Sequence, residues 1–253
     1  MTILRGEAAA LQTLQTGDSA LKFLSKGKSL KVAMRKDILD NVTPVKVTNV
    51  YPSIPTNLYD PNNLYAKARE LVQAEEKAVV DSGTATEEEL KNAKDKSYNF
   101  APKDIYLFHF IDLADGSDIV IQSPKGKDGN KLQGLINQIK NYVEDAEDTI
   151  FTITGQGGNT YVLNPVLPKK VTAEDQAMLE KVVANPKPVE EIYNVLDNAV
   201  AKHDEAFQAK SLTAQGIDVT KLGVDAPVET APNDERFASS GQPIDVGEDD
   251  LPF

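Results

Sequence analysis

The chain has 253 residues, of which 40% are hydrophobic and 26% charged, and its formal net charge is −12. This length and apolar content exclude a wholly disordered protein and allow a sizeable core. The absence of cysteine excludes disulfides, thiolate zinc sites and cysteine nucleophiles. The first residues lack a signal-peptide pattern, and no apolar run approaches the roughly 20 residues of a membrane span. We therefore expect a soluble, cytoplasmic protein.

The charge is unevenly distributed along the chain. From Asp225 to the end there are eight acidic residues and one arginine, a net charge of −7. The segment Lys22–Lys46 holds seven basic and two acidic residues, a net charge of +5. A surface attracts partners through its local charge, so the negative total does not exclude binding to nucleic acid.

Two β-type patterns come first. Leu30–Arg35 alternates with period two, which turns its apolar side chains inward and leaves Lys31 and Arg35 on the other face. A second β-like run covers residues 42–50 and includes Lys46. We predict that these two runs form the first strand of the core, as two bent pieces.

Residues 61–96 predict a helical hairpin. Asp60-Pro61 is typical of an N-cap followed by proline at the first helical position, and Thr86 opens a capping-box sequence. The aromatic residues around this hairpin could stack on bases or could anchor it: Tyr59, Tyr65, Tyr98 and Phe100.

The middle of the chain predicts a β-hairpin, a helix and another β-hairpin. The first hairpin covers residues 104–123 and turns at Asp115-Gly116, a dipeptide that favours tight turns. A helix with one apolar face follows at 130–144, and a hairpin with a glycine-rich turn covers 149–167. Two further helical patterns follow, and the periodicity fades from about residue 208.

These elements suggest three parts. Residues 1–170 form a domain with the helical insertion at 61–96, residues 171–210 form a helical extension, and residues 211–253 form a disordered linker and an acidic tail. The order of elements predicts an α+β fold with a mainly β core, built as a five-stranded oligonucleotide-binding (OB) barrel. That fold has its helix between the third and fourth strands. Other small α+β folds could show the same order.

The chain carries residues suited to binding an unpaired nucleic-acid strand. Such binding needs exposed aromatic faces for the bases and cations for the phosphates. On the strand at 104–113 the aliphatic face is the better barrel interior, so the aromatic face is expected to point outward. The stacking candidates are therefore Tyr106, Phe108 and Phe110, which could instead pack beneath the insertion or the late helices.

The cationic candidates come from two regions of the sequence: Lys31, Arg35, Lys46, Lys125, Lys127 and Lys131. Those on the first strand could bind phosphate or could protect a solvated edge strand from unwanted pairing. Those before the helix at 130–144 could hold phosphate together with the helix N-terminus, or could form a plain polar loop. No nucleophile–base pair, nucleotide loop or metal-ligand spacing stands out. We therefore predict no catalytic residue, metal or cofactor, and no enzymatic activity.

The end of the chain is a compact recognition sequence made of Glu248, Asp249, Asp250, Leu251, Pro252 and Phe253. The acids suit a basic ridge on a partner, and the terminal phenylalanine suits an apolar pocket beside a cation that holds the carboxylate. This tip resembles that of single-stranded-DNA-binding proteins, whose bacterial form ends in Asp-Asp-apolar-Pro-Phe. A solubilising acidic tail that happens to end in phenylalanine is the alternative.

The resemblance implies sequence-nonspecific binding of single-stranded DNA in replication, recombination and repair. It also implies that the tip recruits replication and repair proteins (polymerase, helicase, primase, nuclease or recombinase types) and can fold back onto the basic groove. The insertion, the late helices and the short tail look more like a bacteriophage form, acting in the cytoplasm of a bacterial host. The extra helices could create or block contacts between copies, so a homo-oligomer is one option.

A different class of function remains open. The chain could be an interaction protein that uses the tip to capture host replication or repair factors without binding DNA itself. The chain before the acidic tail has only a modest basic content, so this alternative stays open.

Overall fold

A computed structural model describes residues 20–50 and 54–224. This part of the chain forms eight strands and six α-helices. In chain order they are β1 Leu21–Lys22, β2 Ser29–Ala33, β3 Thr43–Val50, β4 Ile54–Leu58, α1 Leu64–Asp81, α2 Glu87–Phe100, β5 Lys103–Asp112, β6 Asp118–Pro124, α3 Asn130–Tyr142, β7 Phe151–Gly157, β8 Thr160–Pro165, α4 Ala173–Ala184, α5 Val189–Asn198 and α6 Glu205–Thr213.

All eight strands belong to one mixed sheet, organised around the long strand β5. Its main path runs β1-β6-β5-β2-β7-β8. One edge of β5 pairs with β6 along almost its whole length. The other edge pairs with β3 over its first half and with β2 at its end, and β3 also pairs with β4. Strand β2 continues the sheet to β7 and β8. The two β-like runs predicted as one bent strand are therefore β2 and β3.

Within the described residues the sheet does not close into a barrel, because no pairing joins β6 to β8. Helix α3 packs against both strands and fills the space between them. The outer edge of β6 is taken instead by the short strand β1, which runs parallel to it. The fold is therefore a mixed α/β sheet, and the closed five-stranded barrel expected from the order of elements is not seen.

Both faces of the sheet are covered by helices. The face below α3 packs its side chains against Leu135 and Ile139. The opposite face packs against Ile192 and Leu196 of α5, and towards its end against Leu179 of α4. Burying one large apolar side chain contributes about 1.5–3 kcal/mol. Each face therefore supplies a substantial core, and the helices after residue 170 are part of the fold.

The predicted helical hairpin is present as α1 and α2. Its N-terminus differs from the expectation: Asp60 accepts a hydrogen bond from Asn62 N at 2.8 Å in a turn, and Asn63 caps α1. Thr86 forms the expected capping box with Glu89. Helix α1 is the longest described, with 18 residues. None of the helices in residues 20–50 and 54–224 has the length and apolar character that crossing a membrane requires.

Residues 211–224, predicted as disordered linker, are instead the end of α6 and a 3₁₀ turn at Val219–Leu222. Their apolar side chains Leu212, Ile217 and Val219 are buried in the cluster that α1 and α2 build. The apolar residues of this segment are too few to form a periodic pattern, so the sequence did not show that the segment is ordered. The insertion provides the second surface that orders this segment.

Candidate nucleic-acid interface

The three aromatic candidates share one face of β5, but Tyr106 alone among them reaches solvent. Phe108 and Phe110 are 0% exposed and lie in the core beneath α3, so the prediction that they stack on bases is wrong. That prediction assumed one covered face, whereas helices cover both. Tyr106 lies half-buried at the edge of the same core, opposite Pro44 on β3 and Ser123 on β6.

Lys31 and Arg35 face the late helices. Lys31 Nζ forms an ion pair with Asp175 in the first turn of α4. Arg35 donates two 2.7 Å hydrogen bonds to the carboxylate of Asp37 and a third to the carbonyl of Lys187. The Arg35 guanidinium in turn lowers the pKa of the Asp37 carboxyl. Lys31 thus links β2 to α4, and Arg35, just after β2, bonds the connection between α4 and α5. Neither cation fits the phosphate track predicted for it.

Lys46 and Lys125 meet at one end of the sheet. Lys46 on β3 lies opposite Asp104 on β5, and the backbone N–H of Lys125 donates to the carbonyl of Asp104 at 3.5 Å. Lys46, Lys125 and Lys127 are exposed. Within the described part of the chain their side chains have no hydrogen-bond or ion-pair partner, so these three predicted cations are available to a ligand.

The loop that carries Lys125 and Lys127 is compact. Gly126 and Gly129 have φ angles of 73° and 78°, in the left-handed region that favours glycine. A Cβ atom on Gly126 would lie 2.6 Å from Asn130 Oδ1, so glycine also allows the loop to close on the first turn of α3. The two lysines are therefore presented from a defined loop.

Lys131 connects this loop to the turn between β7 and β8. Its Nζ donates to the carbonyl of Gly158 at 3.0 Å. The third predicted lysine of the loop is therefore exposed but already bonded to the protein. A phosphate could replace this carbonyl, because a charge-assisted hydrogen bond is stronger than one to a neutral acceptor.

The same turn brings in a loop that sequence reasoning missed as a binding element. Gly27 N donates to Gly155 O at 2.9 Å, and Gly155 N donates to Lys28 O at 2.9 Å. A Cβ atom on Gly155 would lie 2.2 Å from Leu24 O, so only glycine permits this approach. The exposed side chains of Lys26 and Lys28 thereby join the other lysines. In the sequence this loop shows as Gly27 between two lysines. Those lysines were interpreted only as part of a basic segment.

We call this surface the cationic end, defined by Lys26, Lys28, Lys46, Lys125, Lys127 and Lys131 with Tyr106 among them. The exposed acids on the same elements are Asp104 and Asp128, so the lysines outnumber them. Such an excess of cations attracts phosphates, and the half-exposed ring of Tyr106 offers a stacking face. The arrangement can bind a polyanion that has unpaired bases.

Two other clusters of described residues contain groups with large pKa shifts. Asp118 accepts a hydrogen bond from His109 Nε2 at 2.8 Å and pairs with Lys187, and these contacts lower the pKa of Asp118 to about 2. Burial lowers the pKa of His203 to about 4, and this side chain contacts Tyr65 Oη at 3.0 Å. Both clusters hold late segments of the chain against the sheet or the insertion.

The described residues contain no group of three or more His, Cys, Asp or Glu side chains that could hold a metal ion. The predicted recognition tip, from Glu248 to Phe253, lies outside the described residues and stays a prediction.

Comparisons with protein-family models, with curated proteins and with solved structures give no match to this chain. The functional interpretation therefore depends on the geometry of the cationic end and on the sequence of the tip.

Proposed function

We propose that the chain is a non-enzymatic protein that binds single-stranded DNA without sequence preference through the cationic end. One observation carries the proposal: exposed lysines from separate chain segments are linked at one end of the sheet, where Lys46 and Lys125 flank Asp104, two residues before the partly exposed Tyr106. Lysine contacts to phosphate carry no sequence information. Stacking of a base on an aromatic ring contributes about 1–3 kcal/mol and tolerates any base.

The connectivity of the sheet supports a relation to the OB fold. Strand β2 pairs with both β5 and β7, as the first strand of such a barrel does, and α3 follows β6 at the position of the OB helix. The β7–β8 turn is the counterpart of an OB loop that borders bound oligonucleotides, and here it contacts Lys131. We infer an opened variant of the OB architecture, in which α3 occupies the gap between β6 and β8.

In this proposal the acidic tip recruits partner proteins to the DNA-bound protein. Leu251, Pro252 and Phe253 would enter an apolar pocket on replication and repair proteins, while the preceding acids meet a basic rim. The site of action is the cytoplasm of a bacterial host, in replication, recombination and repair.

The direct test is a titration of fluorescent oligothymidylate and of a duplex of equal length at two salt concentrations. We expect selective binding of the single strand that weakens as salt rises, because phosphate contacts release counterions. Changing four lysines of the cationic end to glutamine (Lys26, Lys28, Lys125 and Lys127) removes up to four phosphate contacts. The slope of log K against log salt then falls in magnitude by up to about 3, at roughly 0.7 per contact.

A matched control changes four exposed lysines on the α3 C-terminus, the β8–α4 connection and α4 to glutamine: Lys140, Lys169, Lys170 and Lys181. It alters net charge equally and should leave the slope nearly unchanged. Equal losses in both variants would show that binding follows net charge rather than the cationic end. Absence of single-strand binding by the unaltered chain would refute the proposal.

A second candidate is an interaction protein that captures replication or repair factors through the tip without binding DNA. Its support is that Phe108, Phe110, Lys31 and Arg35 are engaged inside the fold, which reduces the surface left for DNA. Deleting residues 245–253 separates the two candidates. Under the first, the truncated chain keeps or gains DNA affinity and loses partner recruitment. Under the second, the intact chain recruits partners but binds no oligonucleotide.

A further inference from the structure

We propose that the bound strand continues from the cationic end onto the inserted hairpin, along a stripe on α2 formed by Lys91, Lys94 and Tyr98. The inference rests on the proposed function and deepens it. It gives the insertion a binding role and lengthens the DNA path by the exposed side of one helix.

Tyr98 is the most exposed large hydrophobic residue in the described part of the chain, at 71%. It does not belong to a frayed helix end, because its neighbours Ser97 and Phe100 are 8% and 2% exposed. Phe100 packs in the cluster that joins the insertion to α6. The end of α2 is therefore fixed to the protein while the Tyr98 ring is held in solvent.

The stripe has one aromatic ring and two unpaired cations on one helix face. Lys91, Lys94 and Tyr98 are spaced by three and four residues, which places them on the same side of α2. The side chains of both lysines are exposed and have no hydrogen-bond or ion-pair partner within residues 20–50 and 54–224. The stripe runs about 10 Å along the helix axis, at roughly 1.5 Å per residue.

The adjacent lysine on α2 has a different task. Lys96 Nζ forms an ion pair with Glu75 on α1 at 3.0 Å, which holds the two helices together. The acids Glu87, Glu88 and Glu89 lie in the first turn of α2, away from Tyr98, and Asp95 is the one acid between Lys91 and Tyr98. Asp95 lies on the same side of α2 as Lys91 and Tyr98, so this face carries two lysines against one aspartate, a small net positive charge beside the ring.

The stripe leads directly to the cationic end. The N–H of Ala101 donates to the carbonyl of Tyr98 at 3.1 Å, so the chain bends as α2 ends, and β5 begins at Lys103. The next residue, Asp104, lies opposite Lys46. The six residue steps from Tyr98 to Asp104 span at most about 22 Å when fully extended, and the bend shortens this distance. A strand lying over Lys46 and Tyr106 thus needs only a few more nucleotides to reach Tyr98.

The chemistry of the stripe favours nucleic acid over a protein partner. Protein-binding patches are contiguous and apolar, on the order of several hundred Å². Tyr98 instead is a single ring beside two free lysines, which is the combination used to track phosphates and stack bases. The occupant is therefore the extension of the same single strand.

The test compares Tyr98→Ala with Tyr193→Ala, a matched change on α5 where the tyrosine is 43% exposed. The probes are fluorescent oligothymidylates of about 8 nucleotides, within the roughly 4–16 nucleotides that one OB unit covers, and of about 24 nucleotides, which exceeds that range. We expect Tyr98→Ala to weaken binding of the longer oligonucleotide about tenfold, which corresponds to about 1.4 kcal/mol. Binding of the shorter one should not change, and Tyr193→Ala should change neither.

A second variant tests the cations separately. Changing Lys91 and Lys94 to glutamine should lower the magnitude of the salt slope for the longer oligonucleotide by about 1.4, at roughly 0.7 per phosphate contact. A photoreactive thymidine analogue in the longer oligonucleotide should crosslink to Tyr98. Unaltered affinity of Tyr98→Ala for the longer strand, with crosslinks confined to the cationic end, would overturn the extension but leave the proposed function intact. The extension would also be overturned if Tyr98→Ala abolished binding of a partner protein but left oligonucleotide binding unchanged.

Discussion

Replacing Asp118 with asparagine tests the ion-pair network that fastens the α4–α5 segment to the sheet. The Asp118 carboxylate contacts His109 Nε2 at 2.8 Å through one oxygen and Lys187 Nζ through the other. The side chains of His109 and Asp118 are 4% and 19% exposed, so water screens this network little. The substitution keeps the shape of the side chain and removes its charge.

The expected loss follows from the pKa of Asp118, which these contacts lower from 3.8 to about 2. The folded chain therefore binds this proton more weakly than the unfolded chain does. The resulting stabilisation is present above about pH 4 and disappears as the pH falls towards about 2. A difference of nearly two pKa units corresponds to roughly 2 kcal/mol in the free energy of unfolding.

Urea unfolding at several pH values, from about 7 down to about 2, measures this contribution. At neutral pH we expect Asp118→Asn to unfold with roughly 2 kcal/mol less free energy than the unaltered chain, and the two should converge near pH 2. Asp104→Asn is the control, because Asp104 lies on the neighbouring strand, is exposed and has no side-chain partner among the described residues. A difference that stays constant with pH, or none at neutral pH, would refute the reasoning.

Two further predictions separate stability from binding. Phe108→Ala should lower the free energy of unfolding by about 3–5 kcal/mol. Tyr106→Ala should lower it by less, because Tyr106 lies at the edge of the same core, and should weaken oligonucleotide binding about tenfold by loss of a stacking face. Urea unfolding and fluorescence titration measure the two effects, and a stable Phe108→Ala chain that had lost DNA binding would contradict the buried position of this ring. Gly155→Ala should lower the free energy of unfolding by about 1–3 kcal/mol, because its Cβ would lie 2.2 Å from Leu24 O. Gly134→Ala, in the open middle of α3, should instead raise it by about 0.5–1 kcal/mol, and equal effects of the two alanines would refute the steric argument.

Features that depend on neighbouring residues were predictable from the sequence. The hairpin of β5 and β6 turns at Asp115-Gly116, where Gly116 has a φ angle of 78°. The capping box of Thr86 forms as expected, and Thr172 forms another at the start of α4. The helix predicted at 130–144 is α3 followed by a 3₁₀ turn. In each case a side chain bonds the backbone a few residues away, or one residue permits a special conformation, so no distant contact is needed.

The sequence did not show which side chains of β5 reach solvent. The strand has two apolar faces, and the sequence does not show which helix covers each one. Lys31 pairs with Asp175 across 144 positions, and Lys187 pairs with Asp118 across 69. Such pairs depend on how the late helices fold back, which leaves no local pattern. Phe108, Phe110, Lys31 and Arg35 were therefore misplaced. Lys46 on β3 and the lysines before α3 are exposed, as predicted.

A sheet covered on both faces can present a ligand surface only at its edges and ends. At the cationic end the lysines stay in water, so they carry no desolvation cost in the folded protein. They contribute to the binding free energy when a phosphate displaces counterions. The residues that stabilise the fold, such as Phe108 and Asp118, lie under the helices and contact none of these lysines. Substitutions of the exposed lysines at the cationic end are thus expected to change affinity while leaving the free energy of unfolding within about 0.5 kcal/mol. The insertion follows β4 and leads into the start of β5 beside this end, and α2 contacts β3. Its position is why a helical hairpin, which adds little to the sheet's own core, can lengthen the path of a bound strand.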